Sequence, residues 1–289
     1  MSVSSLYQAY LYPFPHSSSS SDSTPYTDLL VEEHPLSLFI HRKPYATFLR
    51  TPGHDLDLIK GFLWTEGIIE DEDDLQFIHP CSLNPLNRID VTLESGVALP
   101  NSSRSRPITS SCGLCALDEW SPSSQHPLAL NNQQRCSTPL LLSERQLNSL
   151  YHQLNRSLTL FKQTGGAHGA ILFDHTLRIH AVREDIGRHN ALDQILGVLL
   201  SLKDRYIDHQ WGVILSSRAG YELVSKSLRA KLSALVCLGA SSGLAHRAAL
   251  QANLPLYSFI RPSRGHFHGI NLPCSSLHHN LDFEEESPS

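Results

Sequence analysis

Trp211-Gly212-Val213-Ile214-Leu215-Ser216-Ser217-Arg218 and Ala234-Leu235-Val236-Cys237-Leu238-Gly239-Ala240-Ser241-Ser242 decide the fold. Each is an apolar run of strand length that ends on small hydroxyl residues, and apolar residues at helical spacing follow, over 221–228 and 244–252. Short continuous apolar runs closed by turn residues suit strands covered on both faces. Working outward, strands are predicted at 169–173, 177–182 and 256–260, with a helix over 191–202. This alternation predicts an α/β layered domain with a mixed, partly parallel sheet.

Further upstream, Ser143 and Gln146 have capping-box spacing. Leu147, Leu150, Leu154, Leu158 and Phe161 then form one apolar stripe, so a helix should run until just before Gly165-Gly166. Strands are predicted at 36–41 and 45–50 around Arg42-Lys43-Pro44, and at 75–78 and 88–93. Between them Leu56, Ile59, Phe62 and Leu63 recur at helical spacing, with Gly67 as a stop. The expected organisation is a mostly disordered Ser-rich leader over 1–35 and a smaller α+β N-terminal domain over 36–138. An α/β domain over 139–272 and a frayed acidic tail over 273–289 complete it.

The net charge of −5 offers no polybasic footprint, so nucleic acid is not an expected partner. Hydrophobic residues make up 40% and charged residues 18%, a balance that fits a soluble globular chain rather than a disordered one. No apolar run approaches the roughly 18 residues that span a bilayer. The first basic residue is Arg42, so no basic targeting region precedes it and the expected location is the cytoplasm. Six cysteines are too few for a secreted disulfide scaffold.

Two of those cysteines form Cys112-Gly113-Leu114-Cys115, in a long Ser/Pro/Asn-rich connection over 101–138. A neighbouring thiol and nearby N–H groups lower a thiol's pKa, which suits persulfide or thiol exchange chemistry. The same spacing also fits half of a zinc knuckle or an inert pair. Arg183-Glu184-Asp185-Ile186-Gly187-Arg188-His189-Asn190 places two arginines, two carboxylates, a His and an Asn between a strand and a helix. Strand ends and helix starts gather at a crevice in α/β sheets, where Arg183 and Arg188 can clamp phosphate and Asp185 or Glu184 can orient them or accept from a guanine edge. Ser217 and Arg218 recur at the next strand end, and Ser241-Ser242-Gly243 at the one after. His168, after Gly165-Gly166, reads equally as a ligand group or a satisfied polar residue. No phosphate-binding GxxxxGK[ST] loop occurs, and no HxE precedes a PCxxC, which removes zinc deaminase chemistry.

Taken in order, Arg50-Thr51-Pro52-Gly53-His54-Asp55, Glu66-Gly67-Ile68-Ile69, Ser111-Cys112-Gly113-Leu114-Cys115, Thr164-Gly165-Gly166-Ala167-His168, residues 183–193 and Ser217-Arg218 resemble the formate dehydrogenase accessory sulfurtransferase family, the FdhD family. The resemblance runs from about residue 36 to about residue 269. It implies a C-terminal domain with a cytidine-deaminase-like fold, a homodimer, and sulfurtransferase activity through a persulfide on Cys112, with Cys115 as relay or resolving thiol. A cysteine desulfurase would supply the sulfur. The recipient would be the molybdenum of bis(molybdopterin guanine dinucleotide), carried as a client and not a permanent cofactor, before its insertion into formate dehydrogenase. The family's cofactor-binding stretch falls on Phe259, Ile260, Arg261, Pro262, Ser263 and Arg264, joining Arg183, Asp185, Arg188, His189, Asn190, Ser217, Arg218 and His168; no metal ligands are implied. The rival reading is a zinc-stabilised chaperone that holds the cofactor without passing sulfur.

Overall fold

The computed structural model describes residues 4–11, 24–97, 99, 107–108, 136, 138–202, 209–262 and 264–268. Strands β1 (Ser4–Leu11) and β2 (Thr24–Val31) pair antiparallel along their whole length, where a disordered leader was expected. Tertiary placement accounts for the difference. Val31 runs so close to Gly166 that a Cβ there would lie 2.9 Å from Val31 Cγ1. The Tyr- and Thr-containing segments favour strands once a partner is present, although they lack a clear alternation.

Strands β3 (His34–Ile40) and β4 (Lys43–Arg50) form a hairpin whose two turn residues, His41 and Arg42, both take positive φ. That twist suits a two-residue hairpin. After α1 (Asp55–Thr65) come β5 (Leu75–Cys81), β6 (Asn84–Leu93) and the short β7 (Pro107–Ile108). They complete a five-stranded mixed sheet of order β5-β6-β3-β4-β7.

Ser143 and Gln146 form the expected capping box on α2 (Glu144–Ser157). The stripe continues, but the helix does not: Leu158 leaves helical backbone and α3 (Thr159–Thr164) restarts, ending on Gly165 at φ 65°. Glu184 causes the break. Its carboxylate accepts from Leu160 N–H (3.0 Å), Phe161 N–H (2.8 Å) and the Thr159 hydroxyl (3.2 Å), which supplies a new helix start with an acceptor. The Leu158 side chain meanwhile fills the space over Gly169, where a Cβ would meet it at 2.0 Å.

The remaining elements are β8 (His168–Asp174), β9 (Ile179–Asp185), α4 (Arg188–Leu202), β10 (Trp211–Leu215), α5 (Tyr221–Arg229), β11 (Ala234–Cys237), α6 (Gly243–Gln251), β12 (Leu256–Arg261) and β13 (Arg264–His268). They build a six-stranded sheet of order β13-β12-β11-β10-β8-β9. β10, β11 and β12 are parallel, whereas β8 runs against β10 and β13 against β12. The α/β reading with mixed sheets is therefore correct.

The strand period of two splits this sheet between two layers. Ala170, Leu172, Val213, Leu215, Leu235 and Leu256 pack with Leu192, Leu223 and Ala245 of the helices on one face. Ile171, Phe173, Ile214, Val236 and Tyr257 pack with Leu150 and Leu154 of α2 on the other. The first layer also contains Leu36, Leu38, Phe48 and Ile89 of the five-stranded sheet and Phe62 and Leu63 of α1. The joint is the crossing of α1 on α4, where Gly61 faces the Asp193 carbonyl and Gly197 faces the Asp57 carbonyl.

Candidate functional site

Because β8 runs against β10, its first residue His168 lies at the edge where β10 ends, and it pairs in register with Asp185 at the end of β9. The segments after β9, β10 and β11 therefore gather at one edge of the sheet with the starts of α4, α5 and α6. Backbone bonds lock them together: Gly239 N–H donates to Ser217 O (2.9 Å), Ala219 N–H to Ala240 O (3.1 Å) and Ser242 N–H to Ala219 O (3.0 Å). A Cβ on Gly239 would lie 2.7 Å from the Arg218 backbone, so this approach requires glycine.

Arg188 opens α4 and is half-buried, Arg218 is exposed in the next loop, and both act electrostatically on His168. Burial lowers the pKa of His168, and Arg188, His189 and Arg218 lower it further. A cluster of guanidinium groups beside helix N-termini is suited to an anion. At the same edge Ser242 caps α6 by accepting from Ala245 N–H (3.1 Å). Ser217 is buried, and its hydroxyl donates to the Arg218 carbonyl (3.3 Å).

Arg261 ends β12 beside this edge. Its Nη1 donates to Leu238 O (2.6 Å) and Ile260 O (2.8 Å), and the guanidinium lies 5.0 Å from the Phe259 ring centroid. Phe259 has φ 56°, an uncommon conformation for an aromatic residue and a mark of a constrained site. Pro262 is exposed. The Ile260 side chain belongs to the core layer under α2, so only its backbone faces outward chemistry. Arg264 pairs with Arg261 in the β12–β13 ladder. Ser263 lies outside the described residues, as do Cys112 and Cys115.

The other residues read as a phosphate clamp face inward instead. Arg183 donates to Asp57 from Nε (3.1 Å) and Nη2 (2.6 Å), tying β9 to α1. Asp185 is fully enclosed: Oδ1 accepts from Gly187 N–H (2.8 Å) and Asn190 Nδ2 (2.9 Å), Oδ2 from Thr51 N–H (3.1 Å) and Gln194 Nε2 (2.9 Å). Asn190 also donates to Leu49 O (2.7 Å), and His189 pairs with Glu222 at 2.9 Å. A helix start rich in charge has the same sequence signature whether it faces a ligand or a neighbouring element. Here the neighbour is the 50–57 segment, whose Arg50 is itself buried and held bidentately by Asp55 at 2.7 and 2.8 Å.

Burial pushes the Asp185 carboxyl up to about 7, against the four donated hydrogen bonds. The folded-state pKa lies above the unfolded value near 3.8, so folding takes up a proton between them. The contribution of this group to stability therefore falls as pH rises from about 4 to about 7 and is level above. The destabilisation caused by Asp185→Asn should accordingly be smaller at pH 8 than at pH 5.5, measured by urea unfolding at both. An equal or larger penalty at pH 8 would contradict this assignment.

Sequence reasoning missed the buried cation of α5. Lys226 Nζ donates to Asp193 Oδ1 and Oδ2 (3.0 and 2.9 Å) and to Thr65 Oγ1 (2.9 Å), with Glu66 at 3.6 Å. The available signal was a lysine between Val224 and Leu228 on an otherwise buried helix face.

Cys81, Cys136 and Cys237 are free and buried, and burial pushes the Cys237 thiol far up and Cys136 up. Such thiols are poor nucleophiles. Among the described residues no group of three or more His, Cys, Asp or Glu is arranged to hold a metal ion. None of the described helices is long and apolar enough to cross a membrane.

The chain is similar to proteins named sulfur carrier protein FdhD. That of Streptomyces coelicolor is 37% identical over 247 residues, covering 82% of this chain and 85% of the relative. That of Sulfolobus acidocaldarius is 33% identical over 235 residues, covering 81% and 86%. The fold matches a crystal structure described as a formate dehydrogenase accessory protein from Desulfotalea psychrophila, with a TM-score of 0.69 at 18% identity, over 93% of this chain and 98% of that one. The FdhD/NarQ family profile matches residues 31–268, and with the inward-facing 50–57 and 183–194 segments and the cationic sheet edge lying inside that span, the chain belongs to the FdhD/NarQ family.

Proposed function

We propose that this chain is a sulfur carrier that accepts sulfane sulfur on Cys112 and delivers it to a phosphate-rich molybdenum cofactor, bis(molybdopterin guanine dinucleotide), destined for formate dehydrogenase. The observation that carries this reading is the gathering of Arg188, Arg218 and His168 at one sheet edge, beside Arg261. Guanidinium groups next to helix starts suit the diphosphates of such a cargo. Burial of Cys81, Cys136 and Cys237 leaves Cys112, Cys115 and Cys274 of the six cysteines for thiol chemistry, and the CxxC spacing favours Cys112 and Cys115. The names of the relatives support sulfur carriage. The strand order β9-β8-β10-β11-β12, with β8 reversed, supports a cytidine-deaminase-like C-terminal unit.

In the first step the Cys112 thiolate attacks the terminal sulfur of a persulfide on a cysteine desulfurase. The S–S bond of the donor breaks, its thiolate leaves, and Cys112 carries the persulfide. In the second step the Cys115 thiolate attacks Cys112 Sγ and the terminal sulfur departs as sulfide to the metal. The pair is left as a disulfide, which a dithiol reductant returns to two thiols. The chain acts in the cytoplasm as a homodimer.

Intact-mass spectrometry after incubation with a cysteine desulfurase and cysteine tests the carrier. One added sulfur is expected on the wild type and on Cys115→Ala and none on Cys112→Ala. No gain on the wild type, with stoichiometric zinc in the purified protein, would favour the zinc-stabilised chaperone. Binding of GDP should weaken at least tenfold in Arg188→Ala and in Arg218→Ala, since each removes a charge-assisted contact.

A further inference from the structure

We propose that Thr51 is a positioning residue for the cationic sheet edge: its hydroxyl holds the turn that starts α4, so the end of β4 sets where Arg188 meets an anion. The proposal rests on the anion-binding reading of this edge and names what fixes its geometry. Only Ile186 and Gly187 separate Asp185, the last residue of β9, from Arg188 at the head of α4. Ala191 N–H donates to Gly187 O (3.0 Å), so Gly187 stands at the cap position and brings no side-chain oxygen to it. The turn is held instead by Asp185 and, from a distant part of the chain, by Thr51. Ile186 N–H donates to Thr51 Oγ1 (3.1 Å), Thr51 N–H to Asp185 Oδ2 (3.1 Å) and Gly187 N–H to Asp185 Oδ1 (2.8 Å). Each of these donors is a backbone N–H, so the heavy atoms alone settle which partner gives the proton.

Thr51 is a stiff support. It is buried, its branched side chain restricts χ1, and Pro52 after it restricts its backbone. Immediately before it, Arg50 anchors the strand end to Asp55, to Leu86 O (2.7 Å) and to His34 O (3.3 Å). Asn190 Nδ2 donates to Leu49 O (2.7 Å), which ties the first turn of α4 to the same strand. Arg188 follows Gly187 in the chain and acts electrostatically on His168, whose backbone pairs with Asp185. A slackened turn therefore displaces Arg188 against His168 and Arg218, which are carried by β8 and by the loop after β10. Thr51 acts through Arg188 rather than on the ligand.

The test measures GDP binding by calorimetry on the full chain. Thr51→Val keeps the branched shape and removes the acceptor of Ile186 N–H. Affinity should fall about fivefold, the size of one hydrogen bond, and should stay within about twofold in Thr51→Ser. In an Arg188→Ala background Thr51→Val should cost no further affinity, because the threonine works through that arginine. Thr176→Val is the control: it removes a hydroxyl that donates to Asp174 Oδ1 (2.6 Å) at the far end of β8, and binding should be unchanged. Unaltered affinity in Thr51→Val beside a weakened Arg188→Ala overturns this proposal alone. An equal loss in Thr176→Val does so too, as does an undiminished further loss in the Arg188→Ala background. GDP binding indifferent to Arg188→Ala and Arg218→Ala overturns the anion-binding reading and this proposal with it. In the wild type the Ile186 amide proton should exchange with solvent more slowly than in an unstructured peptide; free exchange overturns the clamp whether or not Thr51→Val folds.

Discussion

Gly197→Ala should lower the melting temperature by roughly 6–12 °C, the shift that about 3 kcal/mol produces in a domain of this size. A Cβ at position 197 would lie 2.0 Å from the Asp57 carbonyl oxygen and 2.7 Å from its carbon. Both are backbone atoms of α1, so no side chain can rotate out of the way. Gly61 makes the reciprocal approach, 1.8 Å from Asp193 O, and Gly61→Ala should behave similarly. Relief would require the two helices to separate, which would also stretch the Arg183–Asp57 ion pair and disturb the enclosure of Asp185 beside it. Gly243→Ala is the matched control. Its φ is ordinary and its nearest neighbour would be Arg247 Nη1 at 3.5 Å, so its melting curve should overlay the wild type. A Gly197→Ala variant that melts with the control would mean that the crossing has slack.

Lys226→Met should cost about 3–5 kcal/mol, because it leaves the Asp193 carboxylate in the interior without its cation. Burial raises the Asp193 pKa. Lys226 is held above its usual value although burial opposes its charge, since Asp193, Glu66 and Glu222 all act on it. The methionine fills much of the lysine stem's volume, so the expected loss is electrostatic rather than a cavity. The double variant Lys226→Met with Asp193→Leu should recover most of the loss, as apolar pairs often replace buried ion pairs without penalty. Urea unfolding of the wild type, Lys226→Met, Asp193→Leu and the double variant gives the coupling directly. If the single and double variants are equally unstable, packing and not charge sets the cost.

The layered α/β part was legible because its signals are local. Strands covered on both faces read as continuous apolar runs, Ser143 and Gln146 state a helix start, and Gly165 provides the left-handed stop. What escaped depends on partners distant in the chain. The break at Leu158 is caused by Glu184, and Lys226 meets Thr65, 161 positions away. The 183–190 run illustrates the same limit at the site: its composition announces a polar cluster, but only the packing of the 50–57 segment decides that Arg183 and Asp185 turn inward while Arg188 opens the sheet edge.

The apolar layer that α4 shares with α1 bears on how this chain can be cut and recombined. A fragment beginning near residue 139 would present Leu192, Leu196 and Leu199 to water where Leu58, Phe62 and Leu63 now lie in the same cluster. Such a fragment would aggregate or recruit its missing half, so the C-terminal unit is not a transplantable module. Swaps between homologues should therefore exchange 55–65 together with 188–202, keeping the two glycines as one inherited unit.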